Sequence, residues 1–163
     1  MFDFDVRSGN EPSPQDALSG LGGLPMLRDL VSEPVTRVRR RAPVVLAPGC
    51  PAKQALERMA ERHANAALVA SHGVLLGMLT EWDVIRGLLD PPPGVGPADV
   101  PVFQLMSAEP DAVLETDTVG YAIGKLWSLG GLPLPIIGAT GALFGLLEAQ
   151  DILAWMADRA TRP

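Results

Sequence analysis

Gly73–Asp83 has the sequence GVLLGMLTEWD, and 68 residues later Gly141–Asp151 has the sequence GALFGLLEAQD. Aligned without gaps at this offset, the identical positions concentrate in this stretch and in one apolar run before it. A repeat of this length indicates two copies of a small fold that buries too little core alone, with a natural place for a ligand between the copies. The identical pairs are Val45 and Val113, Leu46 and Leu114, Gly73 and Gly141, Leu75 and Leu143, Gly77 and Gly145, Leu79 and Leu147, and Asp83 and Asp151.

Each copy follows the order strand, helix, strand, strand, helix. Short apolar runs bounded by Pro, Gly and Ser predict the strands, and apolar residues at helical spacing predict the helices. In the first copy we predict strands at 44–46, 66–70 and 74–79 and helices at 52–62 and 80–89. In the second copy we predict strands at 112–114, 134–137 and 142–147 and helices at 119–129 and 149–160.

The boundaries of the copies follow from composition. Residues 1–26 are rich in Gly, Pro, Ser and Asp, which predicts a flexible N-terminal tail. The Pro- and Gly-rich run at 91–98 predicts a linker, because it cannot continue the preceding helix. The first repeat is therefore expected at 27–90 and the second at 99–160, each opened by a short apolar lead-in. The predicted fold class is α/β (α+β).

Length, composition and charge limit the classes of protein. A chain of 163 residues with 47% hydrophobic and 20% charged residues is typical of a globular protein, and a net charge of −6 argues against a general nucleic-acid binder. No apolar run is long enough for a membrane span, and the start lacks the features of a secretory signal. The single cysteine, Cys50, excludes an internal disulfide and is expected to be buried. We therefore predict a cytoplasmic protein.

The sequence contains no constellation of catalytic residues. It has neither a phosphate-binding P-loop nor a nucleophile elbow. His63 and His72 lack cysteine or carboxylate partners at the spacing of metal ligands. The prediction is a protein that is not an enzyme, without a catalytic residue, a metal site or a required cofactor.

The order β-α-β-β-α, closed each time by the pattern Gly-apolar-apolar-x-x-x-Asp, resembles the CBS domain (cystathionine-β-synthase motif). Two copies in tandem resemble a Bateman module, and the resemblance covers about residues 27–160. It implies two repeats packed pseudo-twofold through their sheets, with clefts for adenine nucleotides or related adenosyl ligands. AMP, ADP, ATP or S-adenosylmethionine are the regulatory ligands that it implies. It also implies a homodimer formed through the apolar faces of the last helix of each copy.

The first copy carries the stronger candidate site. Thr80 lies where a strand becomes a helix, so the first N–H groups of that helix can hold an anion and its hydroxyl can donate to a phosphate. Asp83 can accept hydrogen bonds from both hydroxyls of a ribose, and the resemblance assigns it that role. The same two residues also match a helix cap with an acidic residue one turn in, so a purely structural role stays open. The resemblance places the adenine near Val44, Val45, Ala66 and Ala67, and Arg40 and Arg41 are either phosphate contacts or solvated charges on a loop.

The second copy departs from this pattern. Glu148 replaces the threonine, so a carboxylate would face the position of the phosphate. Asp151 can still bind ribose, or it can simply favour the helix N-terminus. By resemblance, Leu134 and Pro135 would wall the base pocket. We expect the cleft at Asp151 to be empty or selective for an uncharged adenosyl ligand.

The predicted function is a stand-alone tandem CBS module that binds an adenine nucleotide or related adenosyl ligand between its repeats and transmits this binding to a partner protein. The main alternative is a ligand-free dimerisation or interaction scaffold, in which Asp83 and Asp151 are only helix caps. A second alternative is an accessory subunit of an enzyme whose catalytic chain is separate. Nucleic-acid binding through the arginines at 37–41 is disfavoured by the acidic net charge.

Overall fold

The computed structural model describes residues 31–40 and 42–160. The predicted tail at 1–26, most of the first lead-in, and Arg41 lie outside the described residues. One-turn 3-10 helices occur at Val35–Arg37, Pro97–Asp99 and Val102–Gln104. In chain order the main elements are β1 (Val44–Leu46), α1 (Ala52–Arg62), β2 (Ala66–Ser71), β3 (Val74–Thr80), α2 (Glu81–Leu89), β4 (Ser107–Ala108), β5 (Val113–Leu114), α3 (Val119–Ser128), β6 (Leu134–Ile137), β7 (Leu143–Leu147) and α4 (Ala149–Ala160).

Both predicted copies of β-α-β-β-α are present, at the offset seen in the sequence. Each copy turns between its antiparallel strands at a glycine with positive φ, 78° at Gly73 and 79° at Gly141, where glycine avoids the steric cost of a side chain. The first sheet has the strand order β1-β2-β3-β4 and the second the order β5-β6-β7. In each sheet the first pair is parallel and the next antiparallel. The fold class is α/β, as predicted.

The two antiparallel pairs differ in register by one residue. Ala66 lies opposite Thr80 in the first sheet, whereas its counterpart Leu134 lies opposite Leu147 in the second. As a result β3 includes Thr80, while β7 ends one residue before Glu148. The junction between strand and helix is therefore built differently in the two copies.

The chain divides into two compact units whose boundaries cross those of the repeats. The sheet unit comprises Arg39–Glu115 and Pro133–Leu147, and so holds both sheets together with α1 and α2. The helix unit comprises the described residues up to Val38, Thr116–Leu132 and those from Glu148 onward, and so holds α3 and α4.

In the sheet unit, one face of the first sheet packs against α1 and α2. The alternation of β1 shows this face directly, because Val44 and Leu46 are buried while Val45 is 38% exposed. The lead-in of the second repeat closes this core through Val102. The buried cluster consists of Val44, Leu46, Cys50, Ala55, Met59, Ala67, Val69, Leu79, Val84 and Val102.

The other face of the first sheet meets the second sheet. Backbone hydrogen bonds join the two at their turns, since the Leu75 N–H donates to the Gly141 carbonyl at 3.3 Å and the Leu143 N–H to the Gly73 carbonyl at 2.8 Å. Apolar side chains extend this contact along the strands. Its buried members are Ala66, Leu68, Met78 and Leu146.

In the helix unit, the segment before the first sheet pairs with the start of α3. The Val35 N–H donates to the Asp117 carbonyl at 2.8 Å, and the Val119 N–H donates to the Glu33 carbonyl at 2.7 Å. Further along, Arg159 of α4 forms an ion pair with Glu33 and lies 4.7 Å from the ring centre of Trp155. The ion pair attaches α4 to the same segment, and the cation–π contact within α4 holds the Arg159 side chain in place.

Candidate functional site

The start of α2 is a complete capping box formed by Thr80 and Asp83. Thr80 has an extended backbone (φ −91°, ψ 165°), and its hydroxyl oxygen accepts from the Asp83 N–H at 3.3 Å. In return, Oδ2 of Asp83 accepts from the Thr80 N–H at 2.8 Å and from the Thr80 hydroxyl at 2.6 Å. The box satisfies backbone donors at the helix start. The capping interpretation of this motif is confirmed.

The second oxygen of Asp83 is held by an arginine. Nη2 of Arg86 donates to Oδ1 at 2.8 Å. The side chain of Asp83 is 12% exposed, whereas that of Arg86 is 75% exposed. The carboxylate is therefore buried and oriented, while the guanidinium that covers it extends into solvent. The sequence motif does not include Arg86, although its position one helical turn after Asp83 is a spacing at which opposite charges pair.

The base-pocket candidates of the first copy lie on both faces of the first sheet. Val44 is the register partner of Ala67, and both side chains belong to the core under α1 and α2. Val45 and Ala66 lie on the opposite face, where Ala66 is opposite Thr80. The structure thus brings Ala66 next to the capping box, and it commits the side chains of Val44 and Ala67 to packing.

Arg40 lies across β7. Its Nε is 3.2 Å from the position that a Cβ would occupy on Gly145, so the glycine leaves room for the guanidinium. The next residue of β7, Leu146, belongs to the same buried cluster as Ala66. Arg40 is therefore placed on the strand that packs against the Ala66 face of the first sheet. Arg41, the other phosphate candidate, is not among the described residues.

The junction of the second copy has only half of a capping box. Oδ2 of Asp151 accepts from the Glu148 N–H at 3.0 Å, and Asp151 is 8% exposed. The side chain of Glu148 is engaged elsewhere, because its carboxylate accepts from Nε2 of Gln150 at 2.5 Å. Ala154 stands at the position of Arg86 and supplies no charge.

Leu134 and Pro135, the base-pocket candidates of the second copy, are neighbours in β6. Leu134 is fully buried and Pro135 is also buried. Both belong to the sheet unit, and Asp151 belongs to the helix unit. The role predicted for these two residues stays a prediction.

The helix unit carries an apolar groove of about 640 Å³ between α3 and α4. Two of its side chains are largely exposed, Trp127 at 63% and Leu153 at 70%. A groove of about 490 Å³ lies at the corresponding place between α1 and α2, where polar residues join the lining. Exposed apolar surface of this kind marks sites of interaction. The groove of the helix unit is lined by Ile123, Leu126, Trp127, Gly130, Gly131, Ala149, Ile152, Leu153 and Met156.

Cys50 is buried, as predicted, and burial raises the pKa of its thiol. Its Sγ donates to Oε1 of Gln54 at 3.0 Å. A buried thiol that keeps its proton is a poor nucleophile. Across residues 31–40 and 42–160, no group of His, Cys, Asp or Glu could hold a metal ion, and no helix is both long and apolar enough to cross a membrane.

Residues 28–90 match the family model of the CBS domain. The match runs from before β1 to the residue after α2, and so includes the capping box and Arg86. The chain contains a CBS domain. Among curated proteins, none matches this CBS domain protein by sequence.

Solved structures share the fold over most of the chain. A CBS domain protein from Pyrobaculum aerophilum, PAE2072, solved with AMP, has a TM-score of 0.65 at 20% identity, covering 80% of this chain and 100% of the other. The CBS domain pair of protein MJ0100, solved with 5′-methylthioadenosine and S-adenosyl-L-methionine, has a TM-score of 0.65 at 16% identity, covering 78% and 98%. CBSX2, solved with AMP, has a TM-score of 0.62 at 21% identity, covering 82% and 96%. The fold is that of a CBS domain pair.

Proposed function

We propose that this CBS domain protein is a regulatory module, without catalytic activity, that binds an adenine nucleotide or a related adenosyl ligand at its first repeat and passes the signal to a partner protein. The observation that carries the proposal is the Asp83 carboxylate, which is 12% exposed at the junction of β3 and α2. An oriented carboxylate at this depth can accept hydrogen bonds from both hydroxyls of a ribose. Hydrogen bonds to a charged acceptor are stronger than those between neutral groups.

Recognition of a phosphate would fall to Thr80, the start of α2 and Arg40. The Thr80 hydroxyl donates to Asp83 at 2.6 Å, and rotation about its Cα–Cβ bond can redirect that donor to a phosphate oxygen. The first N–H groups and the dipole of α2 favour an anion at this end. Arg40, placed over Gly145 in the same compact unit, would add a permanent positive charge.

The adenine would need an apolar surface beside the ribose. Val45 offers one, because it is 38% exposed on the face of the first sheet that also carries Ala66. Ala66 lies opposite Thr80 and is buried between the two sheets, so the adenine would lie mainly against the exposed Val45 at the edge of this face. Val44 and Ala67 would support the surface from the core side.

The ligands of the solved relatives support an adenosyl group as the common element. PAE2072 and CBSX2 were solved with AMP, and the MJ0100 pair with 5′-methylthioadenosine and S-adenosyl-L-methionine. All of these ligands contain the ribose that Asp83 would hold. AMP, ADP, ATP and S-adenosylmethionine are therefore the first ligands to test.

The proposal is tested by isothermal titration calorimetry of the full chain with AMP, ATP and S-adenosylmethionine. Asp83→Ala removes hydrogen bonds to a charged acceptor, each of which contributes about 1.5–3 kcal/mol, so we expect an affinity loss of at least about tenfold. Since this change also opens the capping box, Asp83→Asn provides a second variant of nearly the same size. Asp90→Asn, the same change at the exposed C-terminal end of α2, should bind as the wild type does. A wild-type protein that binds none of the three at millimolar concentration would overturn the proposal.

We further propose a homodimer that pairs through the groove of the helix unit. The groove is apolar throughout, and a self-complementary patch is what a twofold dimer needs. Leu153→Glu would place a charge in the groove and should reduce the mass measured by light scattering from that of a dimer to that of a monomer. Phe103→Glu is a matched control, because Phe103 is 50% exposed and lies outside this groove and outside α2 and α4. A monomeric wild type at micromolar concentration would contradict the dimer.

The complete capping box favours one other candidate function, a ligand-free scaffold. In a scaffold, both oxygens of Asp83 would be used within the chain, as they are in this structure. Asp83→Asn would then lower the free energy of unfolding while no adenosyl ligand bound the wild type. Affinity purification of the tagged full chain, with and without AMP, separates the two functions, because a sensor should change its bound partner with the ligand.

The cytoplasm is the compartment that we propose for this protein. Its single cysteine is buried and forms no disulfide, as is usual in a reducing compartment. Fractionation of cells that carry the tagged chain would test this placement.

A further inference from the structure

The two strand-to-helix junctions differ in charge as well as in capping. At the first junction, a guanidinium lies directly on the buried carboxylate. At the second junction, the equivalent helical position holds an alanine, so the first helical turn carries two carboxylates without a cation. The residues concerned are Glu81, Asp83 and Arg86 in the first copy and Glu148, Asp151 and Ala154 in the second.

We propose that the residue at position 86, and its counterpart at 154, determines whether each junction accepts a phosphorylated adenosyl ligand. Arg86 makes the first junction selective for a 5′-phosphate. With Ala154 at this position, the second junction is selective for nucleosides whose 5′ group is uncharged or cationic. This inference rests on the proposed function and assigns a ligand class to each of the two junctions.

At the first junction the preference for a phosphate depends on the charge around Oδ1 of Asp83. Oδ2 already accepts two hydrogen bonds from Thr80, so Oδ1, where Arg86 donates at 2.8 Å, is the oxygen more open to a ribose. Arg86 is 75% exposed, so it can move aside and remain within reach of the first turn. Without it, the carboxylates of Asp83 and Glu81 would both repel a phosphate. In water, two unit charges about 4 Å apart change a dissociation constant about fivefold.

At the second junction the first helical turn carries two carboxylates and no cation. Asp151 is oriented by the Glu148 N–H at 3.0 Å, so it can still accept hydrogen bonds from a ribose. The Glu148 carboxylate accepts from the amide of Gln150, which is neutral and does not offset its charge. A phosphate would meet two like charges here, whereas a neutral or cationic 5′ substituent would meet none.

The experiment compares AMP with adenosine, which differ only in the phosphate. Dissociation constants are measured by calorimetry for the full-length wild type, Arg86→Gln and Arg86→Lys. We expect Arg86→Gln to weaken AMP about fivefold and to change adenosine by less than about twofold. Arg86→Lys keeps the charge and should retain most of the preference for AMP. Arg58→Gln, which removes the same charge from an exposed position on α1, should leave both constants unchanged.

The outcomes separate this inference from the proposed function. If the wild type binds both ligands and Arg86→Gln weakens them equally, Arg86 has only a structural role and the inference is overturned while the proposed function stands. If the wild type binds neither AMP nor adenosine, the proposed function fails and the inference fails with it. Raising the salt concentration should also reduce the effect of Arg86→Gln on AMP, because screening weakens exposed charge interactions.

A graft tests the second junction. In an Asp83→Asn background, which disables the first junction, Glu148→Thr combined with Ala154→Arg should increase the affinity for AMP at least about fivefold. The single variant Ala154→Gln adds side-chain length without charge and should not increase the affinity for AMP. If the combined variant gains no affinity for AMP while its affinity for adenosine is retained, the assignment of the second junction is overturned.

Discussion

The two copies of the repeat have the same order of strands and helices but differ in their polar side chains. Their turns have nearly the same φ, 78° at Gly73 and 79° at Gly141, and their buried aspartates both accept a hydrogen bond from the residue that precedes the helix. Yet only the first copy closes the capping box and adds a guanidinium. The comparison teaches that glycine and leucine positions carry the repeated fold, whereas a few polar positions on one helical turn decide what each copy can bind.

The shared core is tested by the largest expected effect, the loss of one corresponding leucine from each copy. Leu79 and Leu147 are both fully buried in the sheet unit. Leu79→Ala and Leu147→Ala should each lower the free energy of unfolding by about 2–5 kcal/mol, because each removes buried apolar atoms and leaves a cavity. Urea denaturation measures the loss. Leu76→Ala, at a position 38% exposed on β3, should cost less than about 1 kcal/mol.

A small loss of unfolding free energy in Leu147→Ala, beside a large loss in Leu79→Ala, would contradict the view that the two copies share one core. The second sheet would then contribute little to the stability of the unit that it shares with the first.

The difference in capping predicts opposite effects of two substitutions. Thr80→Val removes the hydroxyl that accepts from the Asp83 N–H and should lower the free energy of unfolding by about 1 kcal/mol. Glu148→Thr would supply the missing hydroxyl to the second copy, and we expect a gain of about 0.5 kcal/mol after the loss of a favourable charge at the helix start. Both are measured by urea denaturation near neutral pH. A loss of stability in Glu148→Thr would show that a threonine at this position does not cap α4 as Thr80 caps α2.

The smallest expected effect concerns the residues before the first helix of each copy. Thr118 caps α3 through its hydroxyl, whereas its counterpart Cys50 is a buried thiol. Burial raises the pKa of Cys50 above the ordinary value of 9.0, so the folded protein holds this proton more tightly than the unfolded chain does. The contribution is fully present below about pH 9 and is lost as the pH rises through the folded pKa. Cys50→Ala should remove this alkaline decrease in the free energy of unfolding, which is measured between pH 8 and 10.5. In the wild type the slope against pH should correspond to the release of about one proton at most. An identical decrease in the variant would assign it to other groups.

Most of the elements could be predicted because their signals are local. The helix predicted at 52–62 from apolar spacing lies at Ala52–Arg62, and the strands predicted at 66–70 and 74–79 lie at Ala66–Ser71 and Val74–Thr80. By contrast, β4 has no local signal, because it is a two-residue exposed strand that pairs with Gly77 from a distant part of the chain. The apolar lead-in predicted for the second repeat gives no indication of this pairing.

The candidate site was predictable only as far as its motif. The positions of Thr80 and Asp83 at a helix start follow from the sequence, and the capping box confirms that part. The one-residue difference in register between the copies depends on pairing across strands, which a gap-free alignment cannot show. The contact of Arg86 with Asp83 depends on a rotamer of an exposed side chain. The position of a helix or strand can be inferred from periodicity, whereas the register difference and the Arg86 contact depend on the three-dimensional structure.

The division of the chain into two units has a consequence for how this protein could be cut and recombined. The boundaries fall after Val38, Glu115, Leu132 and Leu147, so the chain passes between the units four times. Breaking any one of these connections would leave three others to tie the units together. The second repeat contributes β4–β7 to the sheet unit and α3 and α4 to the helix unit. A repeat cut out at the linker would therefore not carry one complete unit.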